Sequence, residues 1–352
     1  MVARFSLLIS IFQLFMIVSG SFDSKFLRTD VFEELEMCKS IQYNFRISEI
    51  TTISLIDCGR RCLDDGDCRR FMYDKETKQC KMYESGEDCI TDGVVNRKIC
   101  FRMLSVCTKV NCTRCPIGYY GDQCQHIIQD CSDGFQKSVA PKTELLSFIK
   151  PTVNGAVLEV VCIFTYGGAT DISRRDARCK ETDFNKTWNE YATGFGNANG
   201  NYWLGLQNIF NILQNHNRFL LNVRFMIDGY ASQLLCIYRD FNISNANDNY
   251  SISLGQFSNH AKGGPGNSLT NGTFSINDRP FSTYDRDFSN NDCPVRFNSA
   301  WWYLDDPVCS RANVNGRRPE VGVPFEATWH WQDNLGTRNE FDLINIRLRR
   351  QY

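Results

Sequence analysis

The run Asp183-Phe184-Asn185-Lys186-Thr187-Trp188-Asn189-Glu190-Tyr191 decides the fold. It continues through Gly194-Phe195-Gly196-Asn197 into Gly200-Asn201-Tyr202-Trp203-Leu204-Gly205-Leu206. It holds a short helical signal at Thr187–Tyr191 and leads into a second at Leu206–Gln214. Around it, short alternating apolar runs recur at Ala156–Ile163, Phe219–Ile227, Leu234–Tyr238, Tyr250–Leu254, Thr328–Trp331 and Asp342–Leu348. A period of two reads as strand. From Gln129 onward the composition turns to Asn, Gly and aromatics, with long irregular segments between the runs. The expected fold class is α+β, centred on antiparallel sheet with long loops.

Cysteine spacing divides the chain. Twelve of the 17 cysteines lie between Cys38 and Cys131, and only Cys162, Cys179, Cys236, Cys293 and Cys309 follow. The front is therefore small disulfide-rich modules, and the back is long enough to build its own core. Met1–Arg4 is a basic start, Phe5–Val18 is mostly apolar, and Val18-Ser19-Gly20 supplies small residues. That pattern predicts a secretory signal peptide over residues 1–20. The apolar run falls short of the roughly 20 residues that span a bilayer as a helix. Five Asn-x-Ser/Thr sequons, at Asn111, Asn185, Asn242, Asn249 and Asn271, add glycosylation to the expectation. With 39 basic against 40 acidic residues, the net charge is −1 and no nucleic-acid partner is expected. A mean hydropathy of −0.35 excludes a multi-span membrane protein.

Within the front, Cys58 and Cys62 stand one helical turn apart, while Phe71 and Tyr73, then Cys80 and Met82, alternate as in strands. Residues 36–104 resemble the PAN/apple family. The resemblance implies bridges Cys58–Cys80, Cys62–Cys68 and Cys38–Cys100, all structural. Residues 105–127, with Cys107, Cys112 and Cys115-Pro116-Ile117-Gly118-Tyr119-Tyr120-Gly121 closing at Cys124, look like a truncated EGF-like segment. Its four cysteines allow three connectivities. The odd total leaves Cys89 as the expected unpaired thiol, free or joining two copies into a homo-oligomer.

The quoted stretch, with Phe281-Ser282-Thr283-Tyr284-Asp285-Arg286-Asp287, Trp301-Trp302-Tyr303 and Asn313-Val314-Asn315-Gly316 in that order, resembles the fibrinogen C-terminal domain family. The resemblance covers residues 128–352 and extends to ficolin/tachylectin-like lectins. It implies bridges Cys131–Cys162 and Cys293–Cys309, the second worth about 3 kcal/mol on the chain-entropy scale. Cys179 and Cys236 are additional and are expected to pair across adjacent strands.

The resemblance also implies a calcium ion held by Asp285 and Asp287, although Ser289 stands at the next acidic position. It places a ligand pocket just after Cys309. There the typical histidine is Ser310 and the aromatic after the glycine is arginine. Asn313, Asn315 and Gly316 match and shape the turn. The candidate ligand contacts are Ser310, Arg311, Asn313, Arg317, Arg318 and Tyr303. The arginines favour an acidic glycan or carboxylate. Stacking on ligand is a role open to Trp301, Trp302, Tyr284 and Tyr303. No His-Glu-x-x-His helix or Gly-x-Ser-x-Gly elbow occurs, so no enzyme is expected. The expected function is a secreted, non-catalytic recognition glycoprotein, a lectin binding glycans. The alternative is a protein-binding receptor ligand or matrix component.

Overall fold

The computed structural model describes short strands between residues 26 and 103 and, apart from brief gaps such as 228–232, residues 115–352. The signal-peptide segment, Cys38, the Cys62–Cys68 pair, Cys89, Asn111 and the Cys100 side chain lie outside the described residues. The chain divides into two compact units: Met1–Leu35 with Asn44–Lys109, and Glu36–Tyr43 with Val110–Tyr352. No helix among the described residues is long and apolar enough to cross a membrane.

The first unit contains β1 (Phe26–Leu27), β2 (Arg46–Thr51), β3 (Arg70–Asp74), β4 (Gln79–Tyr83) and β5 (Lys98–Met103). They form an antiparallel sheet in the order β1-β5-β3-β4-β2. Register pairs Phe71 with Met82 and Tyr73 with Cys80, which puts these four buried side chains on one face. Cys80 is bonded to Cys58 beneath that face. The carboxylate of Asp74 accepts from the backbone N–H groups of Glu76 and Thr77 and closes the β3–β4 turn.

The second unit opens with a two-strand ribbon, β6 (Tyr119–Tyr120) and β7 (His126–Ile127), beside the Cys115–Cys124 bridge. Then come α1 (Cys131–Gln136), β8 (Glu144–Ile149), β9 (Leu158–Ile163), β10 (Ala169–Asp176), α2 (Trp188–Thr193), β11 (Phe195–Gly196), β12 (Tyr202–Trp203) and α3 (Leu206–Leu213). Next are β13 (Phe219–Met226), β14 (Leu234–Tyr238), β15 (Asn242–Ile243), β16 (Ile252–Ser253) and β17 (Phe257–Asn259). The last elements are α4 (Cys293–Phe297), β18 (Ala312–Asn313), β19 (His330–Trp331) and β20 (Leu343–Arg350). The main sheet runs β11-β12-β10-β20-β13-β14-β17, with β9 paired to β10 and β8 to β9. Its ladders are antiparallel, and the fold class is α+β. The last strand, β20, sits mid-sheet between β10 and β13.

One face of that centre is apolar: Leu221, Val223 and Phe225 register against Leu348, Ile346 and Ile344, all buried. The other face carries charge. Asp171 accepts from Arg347 Nε at 2.6 Å and Asn345 Nδ2 at 2.9 Å. Glu144 accepts from Arg174 and Arg347 at 3.2 and 3.0 Å. Desolvation pushes the Glu144 carboxyl up, but Arg347, Arg174 and Arg224 together overcome it and hold it near 2. The same core continues under the loops around Phe281, whose ring is 4.9 Å from Trp302 and 5.2 Å from Tyr191. Trp301, Trp302 and Tyr303 are all buried, which removes them as stacking surfaces, while Tyr284 is exposed.

Cys131–Cys162 and Cys293–Cys309 are bonded. The expected Cys179–Cys236 bridge is corrected: Cys236 is a buried free thiol, whose burial pushes its pKa up. Cys179, just past β10, is bonded to a cysteine whose side chain lies outside those described. Strand order explains the failure. β20 and β13 separate β10 from the β14 that carries Cys236, roughly 14 Å at the usual strand spacing. Bridged Cα atoms stay within about 7 Å.

Asp130 caps α1, accepting from the Ser132 and Asp133 N–H groups, and pairs with Arg350 at 2.7 Å, both side chains buried. Arg350→Met strands that carboxylate. The expected loss is roughly 3–5 kcal/mol. Urea unfolding of the intact chain, followed by tryptophan fluorescence, reads it, because all six tryptophans lie in the second unit.

Candidate functional site

The quoted stretch builds one wall of a cavity. Asp183 Oδ1 accepts from the Asn185 N–H at 2.9 Å, an Asx turn that holds the chain extended before α2. Thr187 and Glu190 then form a reciprocal capping box that starts the helix. The Tyr191 hydroxyl donates to the Phe184 carbonyl at 2.7 Å, so the first turn of α2 locks the residue before Asn185.

The second wall is the turn after β18. Asn313 Nδ2 donates to the carbonyls of Phe297 and Glu326, and Asn315 Nδ2 to that of Ala300. A Cβ on Gly316 would lie 2.5 Å from the Thr328 carbonyl carbon, so only glycine fits. Glu181, Asp183, Phe184, Asn185, Asn298, Gly316 and Arg317 enclose about 350 Å³. That volume is at the lower end of the roughly 300–1,000 Å³ of small-molecule sites. A larger cavity, about 740 Å³, shares the Arg318 side chain with Trp329 and Phe341.

Charge in the smaller cavity is set from behind it. The buried Arg175 donates to Glu181 Oε1 and to the Asn315 carbonyl, both at 2.9 Å. Arg318 Nε lies 2.7 Å from Glu181 Oε2, and Arg318 also donates to the carbonyls of Asp176 and Cys179. Glu181 is thus neutralised twice. Arg317 is exposed and its guanidinium has no ion-pair partner among the described residues. It and the exposed carboxylate of Asp183 are the cavity charges left outside the pairing with Arg175 and Arg318.

The expected ligand contacts separate on this geometry. Ser310, Asn313 and Tyr303 are buried and serve one another's neighbourhood rather than solvent. Ser299 Oγ bonds both the Tyr303 hydroxyl, at 2.7 Å, and Asn313 Oδ1, at 2.8 Å. The Ser310 hydroxyl donates to the Ala312 carbonyl at 2.8 Å. Arg311 is held by Asp333 at 2.7 Å, and Arg318 is held as above. Folding thus supplies each of these five with an internal partner, and of the six expected contacts only Arg317 lines this cavity. Glu181, Asp183, Phe184, Asn185 and Asn298 were not anticipated, although Asp183-Phe184-Asn185 stood in the stretch that named the fold. Beside Cys309, Arg296 donates to both Glu326 oxygens, at 3.2 and 3.1 Å, and to the Pro307 carbonyl. That fork fills the region just after the last bridge with an internal ion pair.

The loop expected to hold calcium commits several of its oxygens to internal hydrogen bonds. Asp285 Oδ1 accepts from the Trp188 N–H at 2.9 Å and the Thr283 hydroxyl at 2.7 Å. Asp287 Oδ1 accepts from the Ser289 N–H, and the Ser289 carbonyl from Asn291. Calcium needs six to eight oxygens, and among the described residues no three His, Cys, Asp or Glu side chains converge on a point. Melting of the protein with and without a calcium chelator is expected to coincide. A clear upward shift on adding calcium chloride overturns this.

His330 is fully buried, its ring stacked 4.5 Å from Phe325 and its Nδ1 bonded to the Thr328 carbonyl. Desolvation lowers its pKa to about 4. The folded state keeps it neutral while the unfolded chain takes up a proton near pH 6.5. Its contribution is therefore complete above about pH 6.5 and falls as pH drops toward 4, by about 3 kcal/mol in total. The stability of wild type relative to His330→Phe, read from urea unfolding across that window, is expected to fall as pH drops, with a slope of one proton.

Residues 127–349 match the family described as fibrinogen beta and gamma chains, C-terminal globular domain, and residues 38–112 match the PAN domain. The chain is 34% identical over 203 residues to human ficolin-3, covering 55% of this chain and 62% of that protein. It is 31% identical over 211 residues to human tenascin-R, covering 58% of this chain but only 14% of the other. It thus spans less than two thirds of these relatives. Among solved structures, the fibrinogen-like globe domain of human ANGPTL6 superposes with a TM-score of 0.55 at 26% identity, covering 64% of this chain and 97% of that one. The chain belongs to the family of the fibrinogen beta and gamma C-terminal globular domain.

Proposed function

We propose that this chain is a secreted, extracellular glycoprotein whose fibrinogen-like domain is a lectin for acidic glycans, with the PAN-type module as a second contact surface. It is a non-catalytic binding protein. The observation that carries the glycan reading is the 350 Å³ cavity, where the exposed Arg317 guanidinium, with no ion-pair partner among the described residues, shares the lining with the amides of Asn185 and Asn298 and the carboxylate of Asp183. A guanidinium fork matches a carboxylate or sulfate, and the asparagine amides suit hydroxyl groups. The similarity to ficolin-3 and the extracellular pattern of the cysteines support the same reading.

A protein ligand is the second reading. Val295 and Val308, 63% and 42% exposed, flank the Cys293–Cys309 bridge, an apolar surface suited to a protein contact.

A glycan array with the intact protein freed of its N-linked glycans, with and without chelator, separates the two. Sialylated or sulfated glycans are expected to bind regardless of chelator. Arg317→Ala is expected to weaken that binding by about ten-fold or more, the loss of one charge-assisted hydrogen bond. Binding unchanged in Arg317→Ala overturns the assignment of the cavity. Absence of any glycan binding overturns the lectin reading in favour of a protein partner.

A further inference from the structure

We propose that an N-linked glycan on Asn185 seats its first sugar in the Arg317 cavity and closes that cavity to soluble ligands. The inference rests on the reading of this cavity as the recognition site. Two independent features meet at one residue. Asn185-Lys186-Thr187 is a sequon, and Asn185 lines the cavity.

The amide of Asn185 is oriented for it. Among the described residues its buried Oδ1 has no partner, whereas Nδ2 makes no hydrogen bond and is not buried, so the nitrogen is the end that reaches solvent. Nδ2 is the atom that carries the sugar. A lipid-pyrophosphate-linked oligosaccharide donates it: the bond from sugar C1 to the pyrophosphate oxygen breaks and the C1–Nδ2 bond forms. One amide proton is released and the lipid pyrophosphate leaves. Folding afterwards commits Thr187 to the capping box, with its Oγ1 donating to Glu190 at 2.7 Å. The transfer therefore precedes the fold, and the sugar folds in with the loop.

A sugar fixed at the rim has no translational freedom to lose, and tethering places it at a millimolar or higher effective concentration. Arg317 and Asn298, on the opposing segments, face its hydroxyls. The other described sequons do not line this cavity. Asn242 and Asn271 are exposed, and Asn249 Oδ1 accepts from Arg286 at 2.7 Å.

The test reads Arg317 itself, without any soluble ligand. The secreted, glycosylated chain is treated with phenylglyoxal, and modification at Arg317 and at the exposed Arg239 is followed by peptide mass mapping. Asn185 is expected to carry glycan, with Arg317 protected. Asn185→Gln, or enzymatic removal of the whole glycan from the folded wild type, is expected to raise the Arg317 rate several-fold and leave Arg239 unchanged. Trimming to a single sugar is expected to keep the protection. An unoccupied Asn185, or equal Arg317 rates with and without glycan, overturns the proposal. The enzymatic arm keeps the test decisive if Asn185→Gln folds poorly. Protection of Arg317 alongside failure of every variant to bind glycans sinks the lectin reading and leaves this inference standing.

Discussion

A guanidinium with almost no solvent contact organises the recognition end of the second unit. Arg175 lies on β10, in the middle of the main sheet, and reaches to Glu181 and to the Asn315 carbonyl. Its Cζ lies 4.0 Å from the centre of the Phe184 ring and 5.1 Å from that of Trp329. One side chain thus ties the sheet to the stretch before α2 and to the turn after β18, the two walls of the cavity. Burial lowers its pKa to about 10 despite Glu181, so it remains charged at neutral pH. Moving either wall would strip partners from a buried cation, which is far more costly than losing a surface ion pair. The cavity's shape follows from that constraint, and Glu181 is committed inward rather than to Arg317.

Strands with an apolar period of two were legible in the sequence. β9, β13, β14 and β20 lie within or across the alternating runs, because one face of each meets the core. The central strand β10 was not. Its residues Ala169-Thr170-Asp171-Ile172-Ser173-Arg174-Arg175-Asp176 read as a polar surface segment, yet most are buried. Their burial is made possible by partners far along the chain, Arg347 and Asn345 for Asp171 and Asn315 for Arg175. No local pattern reports such pairing. Thr328-Trp329-His330-Trp331 misleads in the same way: alternation implies one wet face, but all four residues are buried between two packed layers.

The site was legible only as a neighbourhood. Motif position located the turn after Cys309 and its asparagines, which the structure uses for backbone hydrogen bonds. It could not tell which of three arginines would stay free. Arg311 and Arg318 differ from Arg317 only in what folding brings opposite them, Asp333 for one and Glu181 with two carbonyls for the other. The cysteines show the same limit. Counting them found an odd total, but only strand order shows that Cys236 has no partner across the sheet.

The loop around Asp285 shows how a segment can keep its shape without a cation. Its carboxylate bonds the first N–H of α2, the helix that follows Asn185, and the Thr283 hydroxyl. The next residue, Arg286, lies 4.2 Å from the centre of the Trp188 ring and donates to Asn249. These contacts fasten the loop to the helix start with a helix-capping carboxylate and a cation–π pair, each stabilising by about 1 kcal/mol. A bound ion could reach Asp285 Oδ1 only by displacing the Trp188 N–H, at the expense of the cap on α2. The Asp285 carboxylate, which the family resemblance assigns to a metal, is here part of the support for the wall that carries Asn185.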